Sequence, residues 1–196
     1  MLSDPSVRDW AYLPAGVEAK SLWLSLHDGK IRAIRSDRLA MSLTLEIEVA
    51  HLCRHHGLAE GPFFFELEGV KSSRATTWAI WPGPEPDTEG VSRAEQSRLI
   101  EEYWSKWRED SVGWADFEAM FGDGYLDIGD AEIVREAGVI ALRASGMMYG
   151  DRVEMRAFEF ITLGSGLAIR QGREGLLDLE RFVQLGDDYW EAWSKG

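Results

Sequence analysis

The clearest pattern in the chain begins at Leu39. Leu39, Met41, Leu43, Leu45, Ile47 and Val49 share one parity, and Ala40, Ser42, Thr44, Glu46 and Glu48 take the other. Side chains on a strand point alternately to opposite faces, so this run predicts a half-buried strand of an antiparallel sheet. Upstream, LWLSLH and IRAIRS are separated by Asp28 and Gly29 and closed by Ser36 and Asp37. They read as short strands joined by turns. Downstream, HLCRHHGLAEGP reads as a polar connection to FFFELE and VKSSRATTWAI, two further strands with a bulge or bend at Gly69 between them.

Residues 82–90, PGPEPDTEG, are too rich in proline and glycine for a helix or a central strand and predict an exposed connection. The period then changes. Ser92 and Glu95 have capping-box spacing, and Leu99, Ile100, Tyr103, Trp104 and Trp107 recur at helical intervals, with Glu102 and Lys106 paired on the wet side. A second short helix spans Trp114 to Phe121 and stops at Gly122 and Gly124. Strand character returns in LDIGDAEIVRE, VIALRAS, DRVEMRAFEFITL and LAIRQ, the last two joined by a GSG hairpin turn. RFVQLGDDYWEAW predicts a final strand and then a short amphipathic helix carrying Tyr189, Trp190 and Trp193.

The expectation is therefore an α+β fold with a mainly antiparallel sheet. Two similar β units, at about 20–80 and 125–185, are separated by helices at about 92–121, and a helix closes the chain. Asp28 stands three residues before Ile31 as Asp130 does before Ile133, and each is followed by a turn and an alternating strand. Both units belong to one domain, 1–196, which is an ordinary length for a single core.

Composition narrows the functions. Apolar residues make up 45% of the chain and charged residues 28%, enough for a real core. Cys53 is the only cysteine, so it forms no disulfide within the chain and is a buried small hydrophobe or a free thiol. The opening MLSDPSVRDWAYLPAG lacks a signal-peptide pattern, and nowhere do about 18 apolar residues run together, so a cytoplasmic protein is expected. Lys plus Arg total 21 against 34 Asp plus Glu, a formal charge of −13 that repels nucleic acid and anionic membrane. It suits a basic protein partner, or solubility alone. Arg32, Arg35 and Arg38 would form a local basic patch only if the strand continued through Asp37, which reads more naturally as a turn.

Several groups carry candidate chemistry. His51, His55 and His56 cluster around Cys53, with His27 elsewhere. Imidazole and thiolate are ligands for zinc and other transition metals, so His51, Cys53 and His55 form the candidate metal set. A structural site normally draws a second ligand pair from another segment, so a polar loop with a partly buried Cys53 and no cofactor is the plainer reading. Glu46 and Glu48 lie two apart on one strand and Glu66 and Glu68 on another, so paired strands would gather four carboxylates on one surface. That surface is an acidic docking face, a solvated face opposite arginines, or, in a cleft with carboxyls about 5 to 10 Å apart, an acid–base pair. Nucleophile elbows, phosphate-binding loops, dinucleotide fingerprints, EF-hands and HExxH are missing. Of nine tryptophans, Trp104 with Trp107 and Trp190 with Trp193 have the spacing of a helix's apolar side. Trp78 and Trp81 adjoin the proline segment and are candidates for a contact surface, including that of a homodimer.

The run LHDGKIRAIRSDRLAMSLTLEI resembles small bacterial β-rich proteins of unknown function, some grouped with the immunity proteins of polymorphic toxin systems. The resemblance covers about residues 22–70. It implies an intracellular protein that binds and neutralises a partner, and it carries over to His27 and Asp28 alone; with the negative charge and the missing catalytic signatures, the expectation is a non-catalytic protein-binding domain. Asp28 reads equally well as a turn residue bonded to the following backbone. The competing expectation is a metal-dependent enzyme or metal-binding protein centred on His51, Cys53 and His55.

Overall fold

The structure, a computed structural model, describes residues 18–79, 86–106, 108–150, 156–172 and 175–195. The first half runs β1 (Glu18–Ser21), α1 (Trp23–Leu26), β2 (Lys30–Asp37), β3 (Ser42–Glu48), α2 (Ala50–His56), β4 (Phe63–Glu68) and β5 (Ser72–Ala79). α3 (Arg93–Trp104) and β6 (Arg108–Val112) follow, then α4 (Trp114–Ala119) with a 3-10 turn at Met120–Asp123. The second half runs β7 (Gly124–Glu136), β8 (Val139–Gly150), β9 (Arg156–Gly164), β10 (Gly166–Gln171), β11 (Leu176–Leu177) and α5 (Leu179–Lys195).

The eleven strands form one connected sheet in which the ladders are antiparallel, so the fold is α+β. The ladders close a circuit. β4 bends at Gly69 into β5, and β9 bends at Ser165 into β10. These two long strands pair with each other, with Phe65 opposite Ile169 on one limb and Ala75 opposite Phe160 on the other. β3 joins β4 to β2, β2 meets β7 at Lys30 and Asp127, and β8 returns from β7 to β9. GSG is therefore not a hairpin turn, because β9 and β10 pair with other strands and not with each other. A Cβ at Gly164 would lie 2.8 Å from the Glu68 carbonyl oxygen, so glycine is what lets the bent strands pass so closely. Asp28-Gly29 precedes β2 and Asp123-Gly124 opens β7, whereas Asp130 lies inside β7.

The circuit wraps a main core, and Val134, Val139, Ala141 and Leu163 form a second, smaller buried cluster. Leu43, Leu45 and Ile47 of β3 face Leu67, Phe65 and Phe63 of β4, and all six are buried. Each such side chain contributes about 1.5–3 kcal/mol when fully buried. α4 inserts Phe117 against Phe158 and Phe160, with ring centroids 6.3 and 6.0 Å away. α5 lays Phe182 against Phe63 and Phe65 at 5.2 and 5.1 Å.

Two apolar positions of the alternating run lie outside this core. β2 stays extended through Asp37, which pairs with Ser42, so the turn falls at residues 38–41 and not at Ser36 and Asp37. Asp37 Oδ1 accepts the N–H groups of Leu39 and Ala40 at 2.9 Å, which fixes that turn. Leu39 is 100% exposed and Met41 57%. A register irregularity between Ile31 and Ala33 lets Arg32 and Arg35 both reach carboxylates on β3, while Arg38 belongs to the turn.

Three segments read as strand or loop are helical. LWLSLH contains α1, HLCRHH lies within α2, and RFVQLG belongs to the 17-residue α5. In α5 the buried residues Leu179, Phe182, Leu185 and Gly186 recur at intervals of three and four. α3 starts as expected, the Ser92 hydroxyl accepting from Glu95 N at 3.3 Å. Trp78 takes the outward parity of β5, half-buried and opposite Ala157. Trp81, Trp107 and the side chain of Trp104 lie outside the described residues. Among the described residues no helix is long and apolar enough to cross a membrane.

Candidate functional site: an aromatic and histidine corner

α1 and α2 both pack on α5, and polar contacts set their positions. Ser25 Oγ donates to the Phe182 carbonyl at 3.1 Å, Trp190 Nε1 donates to the Leu24 carbonyl at 2.7 Å, and His56 Nε2 lies 2.8 Å from the Leu185 carbonyl. These bonds satisfy buried and part-buried backbone acceptors and fix how α5 is rotated about its axis.

The result is a continuous run of rings. Trp23 stacks on His27 at 4.6 Å and on Trp190 at 6.1 Å. His51 packs on Tyr189 at 4.6 Å, His55 meets the same ring edge-on at 5.4 Å, and Trp193 meets Trp190 at 5.6 Å. Trp190 and Trp193 have the spacing of a buried pair, but only Trp190 is half-buried. Trp193 is 69% exposed and Trp23 41%. Every described side chain from Glu191 to Lys195 is exposed, so the last turn of α5 has left the core.

Burial shapes the charges here. His27 Nδ1 and His51 Nε2 are buried with no hydrogen-bond partner among the described residues. Desolvation pushes His51 below the ordinary histidine range, with His27 and Arg54 adding to the fall and Asp28 opposing it. Asp28 is exposed and sits at φ 63°, with Oδ1 3.8 Å from His27 Nε2. Aspartate tolerates this left-handed backbone better than most residues, and it ends the tight turn out of α1. At Gly29 a Cβ would meet the Leu26 carbonyl oxygen at 2.7 Å, so that turn requires glycine. Asp127, across the β2–β7 ladder, is pushed up chiefly by burial and also by Asp28, against the pull of Lys30 and Arg32. Both cations lie over the Tyr125 ring, at 4.5 and 4.9 Å.

The candidate metal set divides between two faces of α2. His51 and His55 turn to Tyr189, whereas Cys53 turns inward, its sulfur 3.6 Å from Gln171 Nε2 and 3.8 Å from the Gly61 carbonyl oxygen. Burial pushes the Cys53 thiol up. Among the described residues no group of three or more His, Cys, Asp or Glu side chains is gathered so as to hold a metal ion.

The four glutamates do share one outward surface of paired strands, and arginines meet three of them. Arg32 Nε lies 2.7 Å from Glu48, Arg35 3.1 Å from Glu46, and Arg170 Nε 2.7 Å from Glu66. Glu68 has no ion pair among the described residues. This face is close to neutral, and the acidic excess lies elsewhere.

Sequence reasoning singled out His27 and Asp28 but missed Trp23 and Asp127 as their neighbours, and missed Tyr189 beside His51 and His55. One helical turn in LWLSLH would have placed Trp23 and His27 four residues apart on one face. Comparisons of the chain with protein-family models, with curated proteins and with solved structures found no match.

Proposed function

We propose that the protein is a non-catalytic binding protein that captures a basic protein partner on the corner built by α1 and α5. One observation carries this reading: Trp23 and Trp193 are exposed by 41% and 69% at the two ends of a stack centred on Trp190. Asp28 and Asp187 flank the stack in sequence, and neither pairs with a lysine or arginine among the described residues. Exposed indoles beside carboxylates suit arginine and lysine, which gain from the ring face and the charge together. The net charge of −13 steers a basic protein toward the chain. The resemblance around His27 and Asp28 agrees with a toxin as the partner, met in the cytoplasm. The test is to challenge the immobilised full chain with lysate proteins separated by isoelectric point. Saturable retention from the basic fraction, released by high salt, is expected. Retention only from the acidic fraction, or retention indifferent to salt, would overturn the proposal.

A further inference from the structure

At the far end of β2 from Asp28, a cavity of about 270 Å³ opens between the 38–41 turn, the start of β5 and α4. Arg38, Lys71, Ser42, Ser72, Ser73 and Trp114 line it, with Met41 and Val70 supplying apolar wall. In a chain with 21 Lys plus Arg against 34 Asp plus Glu, cations are scarce, and Arg32, Arg35, Arg98, Arg143 and Arg170 are held in ion pairs. Arg38 and Lys71 have no ion pair among the described residues, and both line this one cavity.

Two carboxylates beside these residues keep their charge, and each is held through one oxygen by hydrogen bonds within the fold. Asp37 also lines the cavity, but its Oδ1 accepts the N–H groups of Leu39 and Ala40. Glu118 Oε1 accepts both the N–H and the hydroxyl of Ser36, each at 2.6 Å. The walls are fixed before any ligand arrives. Val70 N donates to the Met41 carbonyl at 2.7 Å, Lys71 N to the Leu163 carbonyl at 2.8 Å, and Trp114 Nε1 to Ser36 Oγ at 2.9 Å. Met41 itself is held at φ 49°, a conformation that an unbranched side chain adopts only when its surroundings impose it. Ser73 accepts from Thr162 at 3.1 Å, which leaves its own proton to donate.

We infer that this cavity is an anion site, which takes a carboxylate or phosphate group on a small ligand whose apolar part lies on Met41, Val70 and Trp114. A guanidinium fork, an ammonium and serine hydroxyls are donors of the kind that bind oxyanions. The volume falls just below the roughly 300–1,000 Å³ of drug-sized sites, which suits one anionic group with a short apolar body. The site is separate from the α1–α5 corner, and its fate does not depend on that of the partner surface.

The test follows the indole N–H resonance of Trp114, assigned with Trp114→Phe, while the full chain is titrated with inorganic phosphate and, separately, with hexanoate. Sodium chloride at equal ionic strength is the control. A saturable shift with phosphate alone assigns a phosphoryl group, one with hexanoate alone an alkyl carboxylate, and a response to both the shared oxyanion chemistry. In the Arg38→Ala/Lys71→Ala double variant the midpoint is expected to move at least tenfold upward. Both side chains are exposed, so the variant is expected to keep the wild-type melting temperature. No shift beyond the chloride control, or an equal shift in the double variant, would overturn the inference.

Discussion

Gly186 and Ser25 touch so closely that a Cβ on Gly186 would lie 2.5 Å from the Ser25 hydroxyl oxygen and 2.6 Å from its backbone nitrogen. The contact is largely helix backbone on helix backbone, so it cannot be relieved by turning a flexible side chain. It brings α5 near enough for Ser25 to bond the Phe182 carbonyl, and it sets Trp190 beside Trp23 and His27.

Gly186→Ala is therefore expected to destabilise the fold. Alanine gains about 1 kcal/mol in intrinsic helix propensity over glycine, but overpacking at a site that cannot yield costs about 1–3 kcal/mol. A net loss in urea denaturation, with altered near-ultraviolet circular dichroism from the displaced indoles, is the expected result. A gain in stability would mean that α5 does not sit on α1 in this way.

Stability should also fall with acid through His51. Its folded-state pKa is depressed below 6.5, chiefly by burial, so the unfolded chain takes up the proton first. The contribution is fully present above about pH 6.5 and is lost as pH falls through that value toward the folded pKa. Asp127 works the other way, because its raised pKa favours the folded state only as pH nears the ordinary carboxylate range. Urea midpoints measured between pH 7.5 and 5.5 should drop for the wild type and drop less for His51→Gln. Equal slopes would remove His51 from the account.

Cys53 should be slow to label. The thiol is buried and its pKa is raised, so little thiolate forms near neutral pH. A thiol-specific reagent is expected to react with the native chain at least tenfold more slowly than with the urea-unfolded chain. Equal rates would place the sulfur at the surface.

Leu39→Ser should leave stability within about 0.5 kcal/mol, as surface changes commonly do. The comparison is Leu43→Ala, which empties a fully buried position and should cost about 2–5 kcal/mol. Both residues belong to one alternating run in the sequence, and only the closing turn separates their fates.

That pair shows where the sequence was legible. Period two is imposed wherever one face of a sheet covers a core, so Leu43 to Ile47 and Phe63 to Leu67 could be read without the structure. The same alternation ran on into Leu39 and Met41 because a pattern does not reveal where the covered surface ends. α1 has four residues and α2 seven, too few for helical and strand periods to be told apart, and Gly186 disguised the first half of α5. His51 and Cys53 are neighbours in the chain, yet a helix turns about 200° over two residues, which sends them to opposite faces. The corner draws on α1, α2 and α5, and no local pattern records that three separate segments meet.

Binding through the α1–α5 corner is tested most directly by the affinity of the retained basic partner for three forms of the chain. These are the wild type, Trp23→Ala/Trp193→Ala, and Glu46→Gln/Glu66→Gln on the arginine-paired face. At least a tenfold loss of affinity is expected in the tryptophan variant, about 1.4 kcal/mol, and little change in the glutamine variant. A loss confined to the glutamine variant, with the tryptophan variant binding like the wild type, would contradict binding through this corner.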